Sequence, residues 1–159
     1  MTSVIAGRMT ADRTSPFVVF LIGMRINKPL RIDKWLPVMS AMPRMVKELE
    51  ANPQLGFLGY HQWLGRTTIM LQYWESFDKL EQYAKSKDHE HLPAWREFNR
   101  RVGASGDVGI WHETYSVQSG AYECIYSNMP PFGLGKIGPL VAVNSLRDAA
   151  RQRIERQPS

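Results

Sequence analysis

The chain has 159 residues, 43% of them hydrophobic and 22% charged, with a net charge of +5 and a single cysteine, Cys124. This suits one globular domain with terminal extensions, and it excludes a disulfide scaffold and fits a reducing, cytoplasmic setting. The longest apolar run, Phe17 to Met24, is far short of the ~20 residues that span a bilayer, and no apolar stretch precedes Pro16, so neither a membrane anchor nor a signal peptide is expected. Residues 16–128 hold 13 basic and 12 acidic residues, so the excess positive charge sits in the two tails and a nucleic-acid partner is not expected.

Residues 1–15 show no sustained period and read as an arm, flexible unless a partner orders it. From Phe17 to Ile26 the chain is rich in β-branched and aromatic residues and predicts a buried strand, ended by Lys28-Pro29. Ile32, Trp35, Leu36, Met39, Met42, Val46 and Leu49 then recur at helical spacing, with Asp33 as a candidate cap and Pro43 as an expected kink or break.

Gly56 to Leu64 and Thr67 to Trp74 predict two strands joined by a tight Gly65-Arg66 turn. Ser76 caps a short helix carrying Phe77, Leu80 and Ala84, and a second carries Leu92, Trp95 and Val102. A Gly103–Gly106 loop leads to a strand over Val108 to Val117, and a further strand is expected over Ala121 to Ser127. Beyond Asn128, prolines and glycines argue against regular structure until a short helix at Ser145 to Arg156. The organisation is an arm over 1–15, a domain over 16–128 and an extension over 129–159.

Strand, helix, strand, strand, helix, strand is the βαββαβ order of the ferredoxin-like α+β fold, an antiparallel sheet with both helices on one face. The strands are apolar on both alternating sets, so the other face needs a cover. A second copy is the simplest one, which predicts a homodimer closing into a dimeric α+β barrel.

No phosphate loop, dinucleotide fingerprint or nucleophile elbow is present. Cys124 has no local partner and reads as a small buried residue. In strand one Val18, Phe20, Ile22, Met24 and Ile26 form a wholly apolar face, assigned to the helices, which leaves Gly23, Arg25 and Asn27 for the space between sheets. His112 shares a strand face with Ile110 and Thr114, and it is either a core histidine bonded to a carbonyl or a group facing a ligand in that space, within reach of Arg25 or His61. His89 and His91 are two apart, on different faces of a regular helix, and no third ligand converges, so no metal site is expected. The five tryptophans read mostly as core.

Phe17-Val-Val-Phe-Leu-Ile-Gly-Met-Arg-Ile-Asn-Lys28, Lys34-Trp-Leu-Pro-Val38, Gln72-Tyr-Trp-Glu-Ser-Phe77, Ala94-Trp-Arg-Glu-Phe-Asn99, Val108-Gly-Ile-Trp-His-Glu-Thr-Tyr115 and Tyr126-Ser-Asn-Met-Pro130 together resemble a bacterial and fungal family named after a fungal monooxygenase of the fumagillin cluster. The resemblance covers residues 16–135. It implies a dimeric α+β barrel related to antibiotic-biosynthesis monooxygenases of secondary metabolism, which oxidise electron-rich substrates without metal or flavin. No catalytic set is carried over with it.

Three functions remain open. One is a cofactor-independent monooxygenase for a hydrophobic small molecule, with His112, Glu113 and Arg25 handling a proton and His61, Asn27, Trp111 and Tyr115 around the substrate. A second is a haem protein, degrading enzyme or dehydratase, with His91 as the axial ligand. A third is a dimer that binds a small ligand without catalysis.

Overall fold

The computed structural model describes residues 3–144 and 148–154. Four strands form the main sheet: β2 (Phe17–Ile26), β3 (Phe57–Trp63), β4 (Ile69–Trp74) and β5 (Val108–Val117), in the order β3-β4-β2-β5 with every neighbouring pair antiparallel. Helices α1 (Ile32–Ala51), α2 (Phe77–Lys85) and α3 (His91–Arg101) connect them. This is the ferredoxin-like arrangement expected from the element order, with the first and last strands of the unit side by side.

The even-numbered residues of β2 face the helices. Val18 packs with Leu49, Trp74, Leu80 and Tyr83, and Met24 packs with Val102 and Val108 beneath Trp35, Met39 and Phe98. Burying these side chains is the main driving force for docking α1 and α2 on the sheet. Ser76 caps α2 as its sequence position suggests, its Oγ accepting from the Lys79 amide at 3.2 Å.

Several elements differ from their sequence expectation. α1 runs without a break from Ile32 to Ala51, past both Pro37 and Pro43. Pro43 is exposed, whereas Ala41, Met45, Val46 and Leu49 are buried, so packing of one face carries the helix past the bond that Pro43 cannot donate. Ile32 and Leu36, part of the predicted stripe, are exposed, and Asp33 pairs with Arg31 rather than capping the helix.

The β3–β4 connection is wider than a two-residue turn, because Trp63 pairs with Ile69. The intervening residues turn to β2 instead: Ile26 donates to the Arg66 carbonyl, Thr68 donates to that of Met24, and Arg25 bridges Thr67.

The larger difference lies at the termini. Residues 5–11, expected in a flexible arm, form strand β1 (Ile5–Ala11). It pairs on one side with β6 (Tyr126–Met129), shorter and later than the predicted Ala121 to Ser127 strand. On the other it pairs with β7 (Leu140–Ala142), in the stretch where no regular structure was expected. A bulge sits where Gly7, at φ 90°, donates to Asn128 Oδ1 at 2.9 Å, a backbone conformation that favours glycine.

This second sheet, order β6-β1-β7, covers part of the main sheet's other face. Ala11 and Leu134 are buried against Phe17 and Tyr73, with Val19, Leu71, Tyr122 and Cys124 around them. The chain therefore supplies much of the cover for which a second copy was invoked. A short helix α4 (Ala150–Ile154) falls within the predicted terminal helix, whose residues 145–147, 155 and 156 lie outside the described set.

Candidate functional site

A cavity of about 380 Å³ opens between α1, α3 and the helix-side face of the sheet. Five methionines line it, Met39, Met42 and Met45 from α1, Met24 from β2 and Met70 from β4, together with Ile22, Ile110 and Phe98. Its volume falls in the range of small-molecule sites, ~300–1,000 Å³. Unbranched, polarizable methionine side chains give walls that adapt to an irregular apolar shape.

Charges lie among the lining residues. Arg44 pairs with Glu90 at 3.4 Å, and Glu97 pairs with Arg100 and Arg101. Hydrogen bonds from Arg100 and Arg101 hold the exposed Glu97 carboxyl down at about 2, so this carboxylate stays charged at neutral pH.

His91, the first residue of α3, also lines the cavity. Its Nδ1 lies 2.9 Å from the Ala84 carbonyl, which can only accept, so the proton resides on Nδ1. Nε2 has no hydrogen-bond partner among the described residues. An imidazole fixed in this way offers a base or a ligand atom. Its setting is built by Glu48 of α1, which accepts from the Tyr83 hydroxyl at 2.8 Å and the Glu90 amide at 3.0 Å, and whose Oε1 is 3.0 Å from His89 Nδ1. Burial alone would raise the Glu48 carboxyl, but these three partners outweigh it and hold it below its ordinary value.

The other residues singled out in the sequence do not gather at one site. Strand register pairs Ile22 with His112, so His112 stands on the helix side beside Phe20, with ring centroids 5.7 Å apart, and it is exposed. Arg25 pairs with Gly109 and shares the opposite face with Trp111, Glu113 and Tyr115. The expected meeting of His112 with Arg25 in an inter-sheet space is corrected by that register: the sheet lies between them.

On that opposite face Arg25 donates to Thr67 Oγ1 at 2.6 Å, and the Tyr115 hydroxyl donates to Glu113 at 2.6 Å. The Trp111 indole donates to the Thr68 carbonyl at 3.3 Å. His61 is also on this face, stacked on Phe132 at 4.1 Å, with Nε2 accepting from the Gly133 amide at 2.9 Å. Burial and then Lys136 lower its pKa, so it is a neutral core histidine bonded to the C-terminal cover. Asn27 has left the strand and donates to the Gly106 carbonyl at 3.1 Å. Among the described residues no three His, Cys, Asp or Glu side chains converge as a metal site.

The profile of the family described as "Monooxygenase af470-like" matches residues 17–134, about three quarters of the chain. The chain belongs to this family. Monooxygenase af470 of Aspergillus fumigatus is 28% identical to it over an alignment that covers 96% of this chain but 61% of the fungal protein. The chain thus spans less than two thirds of that relative's length. The crystal structure of an aldoxime dehydratase superimposes on 90% of this chain and 45% of its own, with a TM-score of 0.63 at 20% identity, a likeness of fold. SnoaB, a cofactor-independent oxygenase from Streptomyces nogalater, overlaps 66% of this chain and 96% of its own at a TM-score of 0.47 and 12% identity, too partial a likeness to bear on function.

In this af470-like chain the matched span takes in every cavity residue, and β1 and β7 lie outside it. The sequence does not mark the cavity methionines as a site, although three of them stand three residues apart along one helix and the chain holds eight. They read as core because a stripe of that spacing is the same whether it meets another side chain or a ligand.

Proposed function

We propose that the chain is an oxidoreductase of monooxygenase type that takes a hydrophobic small molecule into the methionine-lined cavity between α1, α3 and the sheet. The observation that supports it is the cavity itself: apolar walls, one imidazole with an unused nitrogen, and a position wholly inside the family's matched span. In the cofactor-independent form, His91 Nε2 removes a proton from the bound substrate. Oxygen then reacts with the anion, an activated CH2 becomes a carbonyl, and the second oxygen atom leaves as water. The substrate supplies all the electrons, so no external reductant is required.

The test is incorporation of ¹⁸O from ¹⁸O₂ into apolar molecules that co-purify with the protein, read by mass spectrometry. His91→Ala and the cavity-filling Ala94→Phe should both abolish labelling. Labelling that survives Ala94→Phe would place the chemistry elsewhere.

One observation favours a second reading. A histidine with Nδ1–H on a backbone carbonyl and Nε2 free, beside apolar walls and the Arg44–Glu90 and Arg101–Glu97 pairs, is a donor that could hold a haem iron. Bound haem would supply an iron centre for oxygen chemistry or for dehydration, with Arg44 and Arg101 placed to pair with acidic groups of such a ligand. A Soret band in the purified protein, lost in His91→Ala, supports this reading over the first. A homodimer is proposed with either, formed through the part of the main sheet that the chain leaves open. Among the described residues no helix is long and apolar enough to cross a membrane.

A further inference from the structure

The cavity histidine is held by very little of its own helix. None of the residues of α3 is buried, and the residue at its N-cap position, Glu90, makes no side-chain cap. What fixes this end lies on other elements. Glu48, in the last turn of α1, places one oxygen on the Glu90 amide and the Tyr83 hydroxyl and the other beside His89 Nδ1. A carboxylate on that amide also stands at the positive end of the α3 dipole. Tyr83, buried at the end of α2, lays its ring between the two histidines, 5.4 Å from His89 and 6.2 Å from His91. One turn of α2 then offers the Ala84 carbonyl to His91 Nδ1.

We propose that Glu48 is the positioning residue of the site: its carboxylate pins residues 89 and 90, and through them holds His91 in one tautomer with Nε2 turned to the cavity. The consequence rests on the reading of His91 as the reactive group, but the placement itself does not. Glu48 is not among the residues that line the cavity. Without its charge the Glu90 amide and His89 lose their common partner, residues 86–91 loosen, and the Ala84 bond that selects the tautomer is no longer enforced.

The experiment reads the imidazole directly, with no substrate or ligand added. In long-range ¹H–¹⁵N spectra of the full chain at a pH well above the ordinary imidazole value of ~6.5, His91, assigned by its absence from His91→Ala, should show one protonated and one unprotonated nitrogen. In Glu48→Gln the two nitrogen signals should move together as the tautomers mix, whereas Tyr83→Phe, which keeps the carboxylate, should retain the single tautomer. A loss of helix stability without tautomer mixing would mark Glu48 as structural only and overturn the proposal, as would an unchanged His91 spectrum in folded Glu48→Gln. Should Glu48→Gln fail to fold, Glu48→Asp decides: it keeps the charge but withdraws it by one methylene, and mixing is expected there too, an unchanged spectrum being the refuting result. If His91→Ala leaves ¹⁸O labelling intact, the catalytic reading of His91 falls while the spectra still judge Glu48.

Discussion

Gly23 shows how a single position shapes the sheet. A Cβ built there would sit 1.9 Å from the Thr68 carbonyl oxygen and 2.6 Å from Trp111 Nε1, so the indole crosses β2 only because no side chain intervenes. Gly23→Ala should therefore destabilise the fold by roughly 2–3 kcal/mol, the range of overpacking in a closed site, as measured by urea unfolding. His112 gives the opposite expectation. It is exposed, and the one ring contact described for it is with Phe20, so His112→Ala should change stability by less than about 0.5 kcal/mol and leave ¹⁸O labelling intact. Glu48 adds a pH dependence. Its folded pKa lies below the ordinary 4.5, so its contribution is present above that value and is lost as pH falls through it. The difference in urea midpoint between wild type and Glu48→Gln should shrink below about pH 4.5; a gap that persists in acid would contradict the charged partnership. Of the site, the sequence singles out His91 as a candidate ligand, but neither the methionine lining nor Glu48. Alternation gave His112 its companions on β5 correctly, and only the pairing of Ile22 with His112 decides which side of the sheet they occupy.

Elements were read well where one pattern decided them. β2 and β5 have the bounds their composition predicts, and Ser76 starts α2 as a capping residue should. α1 was misjudged at Pro43, because local backbone chemistry was weighed without the buried face opposite. That geometry predicts a stabilising substitution. Pro43 is exposed inside the helix, so Pro43→Ala restores a donor for the Met39 carbonyl and removes the ring's clash with the preceding turn. Proline costs ~3 kcal/mol against alanine in a helix interior, and losing its restriction of the unfolded chain offsets ~0.4–1 kcal/mol. A net gain of about 2–2.6 kcal/mol in urea unfolding is expected; a loss would mean that the proline sets a bend on which the α1 packing depends. β1 and β7 were invisible for a different reason. Short strands in polar, glycine- and proline-marked sequence have no period of their own and exist by pairing with each other across the whole length of the chain.

At the scale of the whole molecule, the two faces of the main sheet have separate tasks. The helix side holds the cavity. The other side is half covered by the second sheet, and its remainder shows Trp63, Ile69 and Tyr115, each at least 39% exposed, next to half-buried Leu21 and Trp111. Apolar surface of this kind calls for a cover, and closed two-fold pairing is the commonest way to provide it. The wild-type protein should sediment as a dimer at micromolar concentration, and Ile69→Glu with Tyr115→Arg should give a folded monomer. The two-sided arrangement makes a sharper prediction than the oligomeric state alone. The cavity is lined from α1, α3 and the helix-facing residues of the strands, and no side chain from the open-face patch contributes to it. The monomeric variant should therefore bind the neutral fluorophore N-phenyl-1-naphthylamine as tightly as the wild type, while Ala94→Phe should weaken that binding and leave the dimer intact. Loss of fluorophore binding on dissociation would return the pocket to the space between two sheets, where alternation in the sequence had placed it.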